Sequence, residues 1–195
     1  MAKSWTISVS LILGVVAMSA VALAEVEEAG PPSKIFLKKT EPRSVATMRH
    51  KGSFEEIPAV IMKLIFEVNA GGYHMTGPLT GIYYNDPQEV PEEELVWEVW
   101  APVAYPGPVR PVENDEMSFK YLDPMFVAYT YHIGPYESID EAYDSLMEWA
   151  ERNKYKIIGP PIELYWSDPA SVPAEKLVTE IWFPVEEKKT PGMVR

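Results

Sequence analysis

The chain has no cysteine, only three histidines among 195 residues, and far fewer cations than anions. Without cysteine there is no disulfide, no thiolate zinc site and no lipid attached through a thiol. With 17 lysines and arginines against 29 aspartates and glutamates, the formal charge is −12. No basic run offers the positive surface that phosphate backbones require, so nucleic acid is not an expected partner, whereas cations and neutral molecules are. There is no glycine-rich phosphate loop, no Ser-His-Asp pattern and no closely spaced His/Asp/Glu set, and the nine methionines are scattered. Neither a metal nor a cofactor is expected.

What is present is enough for a core: 47% of residues are hydrophobic and 12% aromatic. Residues 1–24 read as an export signal, with Lys3 as the positive start, Trp5 to Val21 as the apolar stretch and Ala22-Leu23-Ala24 as the cleavage pattern. The expectation is an exported protein, periplasmic or extracellular. The alternative is an uncleaved anchor through residues 5–21, which is the one route to a membrane. Residues 25–33, with Gly30 and Pro31-Pro32, read as a tether, and residues 186–195 as a charged, mobile tail.

Two stretches of the remaining chain, 82 positions apart, are written alike. Val96-Trp97-Glu98-Val99-Trp100 and Val178-Thr179-Glu180-Ile181-Trp182 each put a carboxylate inside a β-forming run, two residues before a tryptophan. With a side-chain period of two, Val178, Glu180 and Trp182 share one strand face. The same offset pairs Val45-Ala46 with Val127-Ala128, His50 with His132, Gly77-Pro78 with Gly159-Pro160, and Asp86-Pro87 with Asp168-Pro169. About a third of the paired positions are identical, the mark of an internal duplication. Repeat 1 spans 34–103, repeat 2 spans 117–185, and the proline-rich stretch 104–116 links them.

Within each repeat the pattern reads strand, strand, helix, strand, strand. Ile57, Val60, Ile61, Leu64, Ile65 and Val68 recur at helical spacing, and so do Ile139, Ala142, Tyr143, Leu146, Met147 and Ala150. Pro58 falls in a first turn, and Ser138 with Glu141 makes a capping box for the second helix. The expected fold is α+β: an eight-stranded antiparallel sheet, two helices on one face, and a ligand cleft between the halves.

The candidate site is the carboxylate and aromatic set on the two Glu-bearing strands and their neighbour: Glu180, Glu98, Trp182, Trp100, Tyr131 and Tyr129. A desolvated carboxylate selects positive charge, and aromatic rings add stacking and cation–π attraction. Tyr83, Tyr84, Tyr165 and Trp166 lie on the preceding strands with their facing open. His132 falls on the strand face opposite Tyr129 and Tyr131, and a histidine beside a glycine turn in both repeats reads as a structural hydrogen bond.

The run Tyr131-His132-Ile133-Gly134-Pro135-Tyr136-Glu137, then Tyr143, Leu146, Trp149, Gly159-Pro160, Asp168-Pro169 and Thr179-Glu180-Ile181-Trp182-Phe183-Pro184-Val185, resembles the GyrI-like small-molecule-binding domains. These are similar to the effector-binding domains of AraC-type and BmrR-type regulators. The resemblance covers residues 34–185. It implies a cleft between two pseudo-symmetric units that takes a hydrophobic, cationic or aromatic compound, with Glu180 as counter-charge. Some relatives resemble hydrolases that open strained cyclopropane rings, which implies as an alternative a hydrolase acting through Glu180 or Glu98. Haem binders of the SOUL type look similar in fold, so a third reading is haem held by His132 or His50. No helix-turn-helix segment accompanies the domain, so transcription control is not expected.

Overall fold

The computed structural model describes residues 34–104 and 117–188. The stretches read as an export signal and a tether, nearly all of the stretch read as a linker, and residues 189–195 lie outside the described residues.

The first half runs β1 (Phe36–Lys39), β2 (Arg43–Lys51), α1 (Ile57–Ala70), β3 (His74–Met75), β4 (Leu79–Tyr83) and β5 (Val96–Ala104). The second runs β6 (Ser118–Leu122), β7 (Phe126–Ile133), α2 (Asp140–Arg152), β8 (Tyr155–Ile157), β9 (Ile162–Tyr165) and β10 (Val178–Glu187). Eight strands form one antiparallel sheet in the order β1-β7-β10-β9-β4-β5-β2-β6, while β3 pairs with β5 and β8 with β10. The α+β class and the two helices are as expected, but the sheet has ten strands rather than eight. The added two are only two and three residues long, too short for alternation to show. They catch the far ends of β5 and β10, and β10 accordingly continues to Glu187, two residues past the boundary read at Val185.

Both helices follow their apolar spacing. α1 buries Ile57, Ile61, Leu64 and Val68 against Trp97 and Val99 of β5, while α2 buries Ala142 and Leu146 against Ile181 and Phe183 of β10, with Ala150 buried on the same helix. Removing a methyl-rich side chain such as Leu146 from this packing costs about 2–5 kcal/mol. The capping box does not form. Ser138 ends a 3₁₀ turn at Tyr136–Ser138, and its hydroxyl donates to the Pro135 carbonyl at 2.9 Å instead.

Register decides which side chains share a face. Gly81 of β4 stands opposite Glu163 of β9, and Glu163 opposite Ile181 of β10, so this row lies on the helix side. Glu180 stands opposite Leu164 and Tyr131, and Glu98 opposite Ile82 and Arg49, which puts both on the other side. That other side is filled by its own cluster of Val45, Ile82, Trp100, Tyr129, Tyr131, Leu164 and Trp182. At its centre a cavity of about 10 Å³ remains, the room of a single water.

Candidate functional site

The residues singled out from the sequence come together as two similar clusters, and each already contains a cation from the chain. Glu180 is 1% exposed; its carboxylate accepts from Trp182 Nε1 at 2.7 Å and Trp166 Nε1 at 2.9 Å, and it pairs with the Lys38 ammonium. Lys38 Nζ also sits 4.0 Å from the Tyr129 ring centre and 4.5 Å from that of Trp182, so indole, phenol and carboxylate together box in an ammonium. Tyr131 packs edge-on to Tyr129 at 6.0 Å. In the other half Glu98 accepts from Trp100 Nε1 at 2.8 Å and Lys120 Nζ at 2.7 Å, with Arg49 at 3.6 Å. Burial alone would raise the Glu98 carboxyl; the hydrogen bonds from Lys120 and Trp100 and the charges of Lys120 and Arg49 outweigh it and hold it below the ordinary carboxylate value. Lys38 and Lys120 are themselves 82 positions apart, as are Tyr83 and Tyr165.

His132 and His50 lie on the helix side, opposite Tyr129 and Tyr131. His132 Nε2 is 2.9 Å from the Pro135 carbonyl, and His50 Nε2 is 3.1 Å from Glu56 Oε2. Both rings brace the turns that follow their strands.

The open space is elsewhere. On the helix side, a cavity of about 480 Å³ lies between the halves, bounded by residues 83–88 after β4 on one side and by α2, the β8–β9 connection and Phe183 on the other. This volume falls in the usual range for small-molecule sites. Aromatic walls come from Tyr83, Tyr84, Tyr143 and Phe183. Asp86, Asp140, Asp144 and Glu163 line it as well, and among the described residues no lysine, arginine or histidine does.

Glu163 is the deepest of these carboxylates, 7% exposed at the middle of β9. One carboxylate oxygen accepts the Tyr143 hydroxyl at 2.5 Å and the other the Tyr165 hydroxyl at 3.1 Å. Tyr165 in turn bonds to Tyr83, and Tyr136 packs edge-on against it at 6.0 Å. Burial first, and then the Glu163 charge, push the Tyr83, Tyr143 and Tyr165 phenols well above their ordinary value, so they remain protonated donors. Burial also raises Glu163 itself to about 6, although the three tyrosine hydroxyls pull it back down. No basic side chain is bonded to it among the described residues. Unlike Glu180 and Glu98, this carboxylate has hydrogen bonds but no counter-charge.

Of this cluster the sequence reading named only Tyr83 and Tyr165, with their facing open; Glu163 and Tyr143 were not among its site candidates. The available signal was Ile162-Glu163-Leu164, another carboxylate within an apolar strand, at the one place where the second repeat has an acid and the first has Gly81. Tyr143 was concealed because it occupies a helical apolar stripe.

The raised Glu163 carboxyl has a consequence for stability. The folded form holds its proton to about pH 6, the unfolded form only to the ordinary 4.5. Between these values the folded state binds more protons, so stability falls as pH rises through the interval, by about 2 kcal/mol for this group. Urea unfolding from pH 4 to 7.5 is expected to show that decline in the wild type relative to Glu163→Gln. Parallel pH profiles would remove the assignment.

Comparison with known proteins agrees with this architecture. The family model of the GyrI-like small molecule binding domain matches residues 16–104 and 34–186. No curated protein matches the chain. Among solved structures, EcmrR in its DNA complex is 25% identical with a TM-score of 0.69, and the match covers 79% of this chain but only 57% of that protein. The C-terminal domain of EcmrR is 24% identical with a TM-score of 0.63, covering 79% of this chain and 98% of that domain. A hydrolase from Listeria innocua shares the fold at 15% identity and a TM-score of 0.55, over 78% and 92% of the two chains. With its two halves, its shared sheet and a family match across the whole described fold, the chain belongs to the GyrI-like small molecule binding domain family.

Proposed function

We propose that this protein binds a lipophilic cation in the cavity between its halves, with Glu163 rather than Glu180 as the counter-charge. The observation that carries the reading is the contrast among three buried glutamates. Glu180 and Glu98 are each paired with a lysine, whereas Glu163 faces a cavity of about 480 Å³ with aromatic walls and, among the described residues, no basic lining. A buried carboxylate that has hydrogen bonds but no counter-charge favours the entry of positive charge, and the phenol rings add cation–π attraction. The rim aspartates Asp86, Asp140 and Asp144 reinforce the sign.

Ethidium, a planar aromatic cation, and 8-anilinonaphthalene-1-sulfonate, a comparable anion, separate charge selection from simple hydrophobic binding. Fluorescence titration at pH 7.5 is expected to show binding of the first and not of the second. Affinity for the cation should fall as pH drops below about 6, because the Glu163 carboxyl becomes neutral there. Equal binding of the anion would contradict the reading.

A second reading is supported by the two tyrosine hydroxyls within hydrogen-bond reach of the same carboxylate. Glu163 takes a proton from water, the water oxygen bonds to a strained ring carbon as a ring C–C bond breaks, a tyrosine hydroxyl protonates the carbon released, and the proton on Glu163 returns to that tyrosine along their hydrogen bond. Mass spectrometry after prolonged incubation with cyclopropane-bearing electrophiles tests it. Unchanged substrate leaves a binding protein.

A further inference from the structure

The sheet is joined at its centre by β4 and β9, and Gly81 stands directly opposite Glu163 in that pair. The two positions are equivalent in the two halves, yet one carries a carboxylate and the other no side chain. Glycine weakens the interior of a strand, and Gly81 is not among the glycines with positive φ, so backbone freedom does not account for it. Space does. A Cβ at position 81 would lie 2.6 Å from the Tyr165 hydroxyl oxygen and 2.8 Å from that of Tyr83, closer than packed atoms tolerate. These are the hydroxyls that form the chain Tyr83–Tyr165–Glu163.

We propose that Gly81 is a positioning residue of the Glu163 site: the missing side chain lets the Tyr83 and Tyr165 hydroxyls converge on the carboxylate, which sets how readily Glu163 carries charge. The consequence for ligand binding rests on the cation reading above; the positioning itself does not. Both tyrosine hydroxyls stabilise the charged form by donating toward it. Pushing them aside leaves Glu163 with Tyr143 alone and makes its proton harder to remove. The glycine of one half therefore tunes the carboxylate of the other.

Carbon-13 NMR of the Glu163 carboxyl in the ligand-free protein reads this directly. Gly81→Ala is expected to raise the titration midpoint by about one pH unit, and Tyr83→Phe/Tyr165→Phe to raise it similarly. Adding Gly81→Ala to the double phenylalanine variant should produce no further rise, because the two hydroxyls that the Cβ displaces are gone and only the ring carbon of residue 83, 3.1 Å away, has to give slightly. An unchanged midpoint in Gly81→Ala, or an equal further rise in the phenylalanine background, overturns the proposal. Should Gly81→Ala alone fail to fold, the phenylalanine background restores folding on this account and does not if the glycine serves the backbone.

Ethidium titrations across pH keep the two claims apart. If the wild type binds ethidium, Gly81→Ala should move the pH midpoint of binding upward with little change in affinity at pH 8. If the wild type binds no cation while the NMR midpoint still shifts, the positioning role stands and the cation reading fails.

Discussion

Replacing Glu163 with glutamine is expected to weaken ethidium binding about 100-fold at pH 7.5. Truncating one member of a buried charge pair typically costs about 2–5 kcal/mol, and glutamine keeps the shape and one of the two oxygens that accept from Tyr143 and Tyr165, while its NH2 can donate to the oxygen of the other hydroxyl, which favours the lower end. About 2.8 kcal/mol corresponds to that factor of 100. Glu180→Gln and Glu98→Gln, on the opposite face and each beside its own lysine, should leave the affinity close to wild type. The comparison discriminates well, because all three substitutions remove one buried negative charge. If Glu180→Gln were the damaging change and Glu163→Gln silent, the counter-charge would belong where the repeated strand motif first suggested.

A large loss of stability is expected from Lys38→Met. It leaves Glu180, 1% exposed, without its ammonium. Removing one partner of a buried pair costs about 3–5 kcal/mol. The Lys38 side chain is 32% exposed, so water reaches the site in part and about 3 kcal/mol is the appropriate figure. For a domain of this size that corresponds to a fall in Tm of about 10 °C. Adding Glu180→Gln should recover part of the loss, since the unpaired charge is gone, but not all of it, because Trp166 and Trp182 donate to different carboxylate oxygens and the single amide oxygen can keep only one of those bonds. Thermal unfolding followed by circular dichroism measures both; a Lys38→Met Tm equal to wild type would show that the pair contributes nothing to stability.

These two expectations mark what could be read from the sequence. The strands and helices were legible because Ile57 to Val68 and Ile139 to Ala150 keep strict helical spacing, and because two copies of one pattern reinforce each other. The unusual character of Glu98 and Glu180 was legible as well, and both are buried beside tryptophans as their neighbours implied. Their partners were not. Lys38 is 142 residues from Glu180, on a strand brought beside β7 only by the sheet order, and nothing local marks it as the answer to that charge. A carboxylate and an aromatic box look the same in sequence whether the cation comes from a ligand or from the chain. Glu163 was missed for a related reason. Its meaning depends on Tyr143 from a helix, Tyr165 from its own strand and Tyr83 from the other half, and on the empty place at Gly81, which only the β4–β9 register brings together.

The most direct test of the account is a crystal structure of the ethidium complex. The prediction is a cation among the rings of Tyr83, Tyr143 and Phe183, its charged atoms within about 4–6 Å of the Glu163 carboxylate, with Lys38 still on Glu180. A cation seated against Glu180 and Trp182, with Lys38 displaced, would contradict it.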